Sequence, residues 1–126
     1  MSVQFFKSGP GVPNSPLPFS AAVRAGDFVF ISGQAAVDAD GKVVSEDFEA
    51  EFRRTMENLK ACLAAAGATL SQVVQVHSYV KHPEDVPLYN KLYIQYFKEP
   101  LPARTTIVQC LGLVKFEIDV VAYVGK

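Results

Sequence analysis

The sequence predicts an α+β domain in which two helices pack on one face of a single sheet, and three observations carry the prediction. Residues 115–124 alternate strictly, with Phe116, Ile118, Val120, Ala122 and Val124 on one side and Lys115, Glu117, Asp119, Val121 and Tyr123 on the other, the period of a half-buried strand. From Asp47 the period lengthens: Phe48, Phe52, Met56, Leu59 and Leu63 recur every three or four residues, as on the buried stripe of a helix. Over residues 86–97 a second stripe of Tyr89, Leu92, Tyr93, Tyr96 and Phe97 runs towards Pro100, which stops it. Two such stripes need one sheet to cover them.

The elements follow in chain order. Val3 to Ser8 reads as a short strand, and residues 9–18 hold too much Pro and Gly for regular structure, so an extended loop delivers Phe19 and Ser20. Ala25-Gly26-Asp27 is a turn between two β-type runs, 21–24 and 27–32, which predicts a hairpin. Its second arm, the apolar run Phe28 to Ile31, reads as a central strand opening into Ser32-Gly33-Gln34, where glycine permits close approach of backbone to a ligand and Ser32 offers a hydroxyl. Asp38 to Lys42 is a solvated turn. Ser45 or Asp47 caps the first helix and Gly67 closes it. Residues 70–80 return to strand character, with Val74, Val76 and Val80 opposite Gln75, His77 and Tyr79. Local spacing ties no acid or nucleophile to His77 or His82, so both read as surface or interface histidines. The second helix starts after His82 at Pro83-Glu84-Asp85.

At 126 residues, with 49% hydrophobic and 20% charged positions, the chain suits one domain spanning 1–126 and is too short for two. A net charge of −1, with scattered Lys and Arg, gives no basic field for nucleic acid. Cys62 and Cys110 lack metal-ligand spacing and read as buried free thiols, which fits a reducing compartment. No secretory or transit leader is legible, and no apolar run approaches the roughly 20 residues of a membrane span. The expectation is a cytoplasmic protein without membrane, nucleic-acid or metal partners.

The chemical lead is Arg104, the single arginine of the last seventy residues, in an apolar β-rich context with acids on the returning strand. Read as a hairpin turning near Leu111 to Leu113, residues 102–124 would bring Arg104 and Thr106 near Glu117 and Asp119, with the register left open. A guanidinium fork grips a carboxylate through two parallel hydrogen bonds, and a glutamate holds water or moves a proton, so the pair suits a small anionic substrate. A cross-strand ion pair on a wet sheet face is the plainer alternative, worth about 0.2–1 kcal/mol. Alternation leaves a half-apolar open face carrying Val121 and Tyr123, the kind of face a partner subunit covers.

Pro18-Phe19-Ser20-Ala21-Ala22-Val23, Ile31-Ser32-Gly33-Gln34, Gly67-Ala68-Thr69-Leu70, Asn90-Lys91-Leu92-Tyr93, Pro102-Ala103-Arg104-Thr105-Thr106 and Phe116-Glu117-Ile118 together resemble the RidA (YjgF) family over nearly the whole chain. The resemblance implies a chorismate mutase-like single mixed sheet, a homotrimer with pockets between subunits, and a cofactor-free hydrolase. Its reaction would deaminate reactive imines or enamines, such as 2-aminoacrylate, to 2-keto acids and ammonia. By that resemblance Arg104 binds the substrate carboxylate and Glu117 positions water or relays a proton, while Phe19, Ser32, Gly33, Asn90 and Thr106 line the pocket. Phe19 stands where many members carry Tyr, Thr106 where Cys is frequent, and Leu111-Gly112 where Leu-Pro is common. These departures leave two alternatives: an aminomuconate-type deaminase, or a non-catalytic carboxylate-binding regulatory trimer. The nuclease or translation-inhibitor activity attached to the family finds no support in this charge balance.

Overall fold

A computed structural model describes residues 2–125, so Met1 and Lys126, the two ends of the predicted domain range, lie outside the described residues. Strands β1 (Val3–Phe6), β2 (Ala22–Ala25), β3 (Phe28–Ala35), β4 (Val73–Val80), β5 (Ala103–Val108) and β6 (Phe116–Tyr123) form one six-stranded sheet in the order β1-β2-β3-β6-β4-β5. Helices α1 (Phe48–Ala65) and α2 (Val86–Tyr96) complete the α+β fold. The predicted hairpin is β2–β3, turning at Gly26 with φ of 62°, a left-handed conformation that glycine adopts without strain.

The predicted pairing of residues 102–108 with 116–124 is overturned. β5 runs parallel to β4, with Val76 opposite Arg104 and Ser78 opposite Thr106, and β6 inserts antiparallel between β3 and β4. The cause is visible in the burial. Phe116, Ile118, Val120 and Ala122 are all essentially inaccessible under the helices, and β6 is a central strand with β3 on one side and β4 on the other. β5 begins beyond Pro100 and Pro102, is exposed along most of its length, and takes the edge, where proline does least harm to a ladder. Helix α2 is the crossover that makes a parallel β4–β5 pair possible.

Asp47 is the cap of α1, accepting from the Ala50 amide at 2.8 Å, and Gly67 ends the turn beyond Ala65 with φ of 81°. Phe52 lies 4.7 Å from Phe116, ring centre to ring centre, and Tyr89 packs against both, so the helical stripes and the β6 face meet in one core. Residues 70–72 form a 3-10 turn ahead of β4. Val74 sits on a bulge between Val73 and Gln75 and is exposed, which takes it off the face predicted for it. Cys62 is buried as expected, and desolvation pushes its thiol up to about 11. Cys110 is exposed instead, because it follows the end of β5 and the left-handed Gln109.

Candidate functional site

Two clusters hold the predicted site residues, and the sheet separates them. The first lies against the helices. Arg104 shares the face of Val76, and its guanidinium carbon stands 5.0 Å from the ring centre of Tyr89 and 4.8 Å from that of Tyr93. Such cation–π contacts hold the fork in place without neutralising it. Among the described residues no carboxylate lies within ion-pair distance of Arg104. Thr106, one pleat further, directs its hydroxyl towards the Tyr89 hydroxyl at 3.5 Å, and Tyr89 donates to Ser78 at 2.6 Å in the buried layer. Asn90, Tyr93, Ile94, Leu101 and Pro102 join Arg104 around a hollow of about 350 Å³. The Tyr93 hydroxyl is buried without a partner there, and desolvation pushes it up to about 12.

The second cluster surrounds Glu117 on the open face. A bulge in β3 sets Ser32 and Gly33 between the positions opposite Val120 and Ile118. Gly33 lies so near Glu117 that an added Cβ would stand 2.5 Å from Oε2, so glycine is the residue that lets this carboxylate lie against the strand. Ser32 spends its hydroxyl on the Ser20 carbonyl at 2.6 Å, which ties the strand to the end of the Pro-rich loop. That loop delivers Phe19, whose ring is 42% exposed and has the Lys7 ammonium 4.8 Å from its centre. Phe19 and Gly33 also border a mainly apolar cleft of about 140 Å³ reaching Cys62. Glu117 is half-buried, and burial first, then the charge of Asp119, holds its carboxyl above the usual carboxylate range.

Thus Arg104, Thr106 and Asn90 come together, as do Gly33 and Glu117, with Ser32 in the same bulge and Phe19 on the cleft that Gly33 borders, while Arg104 and Glu117 point away from opposite faces of the sheet. β4 lies between their strands, a lateral separation of about 10 Å at ordinary strand spacing. A substrate of a few carbon atoms cannot touch both in a single chain. Two features lay outside the sequence reading. Tyr89 and Tyr93 flank Arg104, a role their four-residue spacing did not distinguish from plain core. His77 gains an acid, Asp119, through the β4–β6 register rather than through any local motif.

No group of three or more potential ligands that could hold a metal occurs among the described residues. No helix there is long and apolar enough to cross a membrane.

Comparison with known proteins accounts for the whole fold. The sequence model of the endoribonuclease L-PSP family matches residues 12–124. A RutC family protein of Pyrococcus horikoshii is 40% identical over 110 residues, covering 84% of this chain and 86% of its own. A protein of Dermatophagoides farinae named 2-iminobutanoate/2-iminopropanoate deaminase is 32% identical over 108 residues, covering 85% and 84%. The crystal structure of RidA from the Antarctic bacterium Psychrobacter superposes with a TM-score of 0.86 at 30% identity, over 95% of this chain and 99% of that one.

Proposed function

Because this chain belongs to the endoribonuclease L-PSP family, also called YjgF or RidA, we propose that it hydrolyses small 2-imino acids to 2-keto acids and ammonia in pockets between the subunits of a homotrimer. The observation that carries the reading is the split site: a fork with no carboxylate partner on one face, and a half-buried carboxylate on the other, two strands across and three residues along. A second copy of the chain supplies what each half lacks. The deaminase name of the mite relative points the same way.

In this reading the substrate carboxylate lies on Arg104 in two charge-assisted hydrogen bonds, with Asn90 and Thr106 beside it. Water held by Glu117 of the partner subunit attacks the imine carbon. As the new C–O bond forms, the carboxylate takes a water proton and passes it to nitrogen, giving a carbinolamine. The carboxylate then takes the proton of the new hydroxyl as the C–N bond breaks, ammonia leaves and the C=O bond remains. The protonated imine is electrophilic already, so holding the anion and aiming water supply most of the acceleration. The protein needs no cofactor in this scheme.

The test is release of ammonia and keto acid above the spontaneous rate from an imine generated in place by an amino-acid oxidase. Arg104→Lys keeps the charge but loses the fork, and KM is expected to rise about 10- to 100-fold, the equivalent of about 1.5–3 kcal/mol. Gly33→Ala is expected to keep the far-UV circular dichroism of the wild type while kcat/KM falls on the order of 10²-fold, because the added methyl displaces the Glu117 carboxylate. Binding of 2-oxobutyrate without any acceleration of hydrolysis would favour the carboxylate-binding regulatory trimer instead.

A further inference from the structure

The register that parts Arg104 from Glu117 gathers another set of ionisable groups on the open face. His77 of β4 lies directly across from Asp119 of β6, and Tyr79 directly across from Glu117. His77 Nδ1–H donates to Asp119 Oδ1 and the Tyr79 hydroxyl donates to Asp119 Oδ2, each at 2.8 Å. Both oxygens of one carboxylate are therefore occupied by groups from the neighbouring strand, which fixes the orientation of the side chain. The Tyr79 hydroxyl, bound to that carboxylate, is pushed up to about 12. Asp119 follows Glu117 by two residues on the same face, about 7 Å along the strand.

We propose that Asp119, clamped by His77 and Tyr79, is a positioning residue, a fixed negative charge that makes Glu117 a stronger proton acceptor. The inference rests on the relay assigned to Glu117 above. A carboxylate free to rotate would carry its charge towards or away from Glu117 as it turned. The two donors prevent that and fix where the charge stands relative to Glu117. A carboxylate opposed by a like charge holds a proton more firmly, and proton transfer improves as the acceptor approaches the working pH. Burial is the larger influence on Glu117 and Asp119 the second.

Within one chain the other ionisable groups leave this effect uncancelled, with Lys7 turned to the Leu17 and Phe19 carbonyls. The partner subunit's Arg104, which the proposed pocket sets across the substrate, acts alike in every variant compared below. β3 faces Glu117 with Ala35 directly across and Gly33 against the carboxylate, neither of which ionises. On β4 the ionisable groups are Tyr79 and His77, on β6 Asp119 and the more distant Tyr123, and beyond β5 Cys110. Lys115 is turned to Glu51 and the Glu46 carbonyl, and Lys81 to the Gly112 carbonyl.

Carboxyl carbon NMR of selectively labelled protein follows Glu117 through its titration without any turnover. In Asp119→Asn the midpoint is expected to fall by about 0.5–1.5 pH units, the size of a unit charge near 7 Å between surface and interior screening. Tyr79→Phe, which frees one oxygen of Asp119 and lets the charge turn away from Glu117, is expected to move it the same way by less. The acid limb of kcat/KM should move down with the NMR midpoint, whereas a purely structural role would lower the rate at every pH and leave the limb in place. A Glu117 midpoint unchanged in both variants overturns the proposal. Full turnover by Glu117→Gln alongside a shifted midpoint in Asp119→Asn sinks the relay itself, so the two failures are distinguishable.

Discussion

Glu117→Gln is expected to reduce keto-acid release by about 10²- to 10⁴-fold with little change in stability, because the amide keeps the shape and volume of the carboxylate and loses its capacity to take a proton. The comparison is sharp since Gly33 leaves room for either side chain and the neighbouring acid, Asp119, is held by His77 and Tyr79. The same variant tests the architecture. Mixed with Arg104→Ala protein and reassembled, it should recover about a quarter of wild-type turnover, because one interface in four then joins an intact Arg104 to an intact Glu117. A single-chain site gives no recovery at all. Steady-state rates on the mixture, with light scattering to measure assembly, decide between them.

Glu51→Ala is expected to destabilise the fold by about 3–5 kcal/mol, towards the lower end because the lysine partner is partly exposed. The Glu51 side chain on the first turn of α1 is wholly buried, yet it accepts from the Lys115 amide at 2.9 Å, from Lys115 Nζ at 3.2 Å and from the Glu46 amide at 3.2 Å. It ties the helix start to the residue that leads into β6. Alanine leaves three donors without that acceptor, and a fall of about 10–15 °C in Tm follows for a chain of this size. Glu51→Gln retains an oxygen for the Lys115 amide and should lose markedly less. Urea titration of both variants measures the difference, and equal losses would remove the ion pair from the account.

The helices were legible because Phe48, Phe52, Met56, Leu59 and Leu63 repeat at a period only a helix satisfies, and the β2–β3 hairpin because Gly26 marks its turn. The alternation of β6 correctly gave which residues enter the core. Its neighbours were not legible, since a strand's own pattern reports its faces and not its flanks. The proximity of β5 and β6 in sequence suggested a hairpin that the helical crossover and the insertion of β6 between β3 and β4 ruled out. For the site, resemblance named Arg104 and Glu117, but only the register revealed that they diverge. The same is true of His77: nothing near it in sequence predicts Asp119, forty-two residues later, as its partner.

β6 comes later in the chain than every other strand, yet it occupies an interior position between β3 and β4. During synthesis, the β1–β3 meander and the β4–α2–β5 unit therefore emerge as two pieces with a gap where their shared seam belongs, each exposing strand edges. Closure awaits the arrival of that last segment, so the sheet forms by insertion rather than by extension from one end. Contacts of such long reach place the ordering cost early and the reward late.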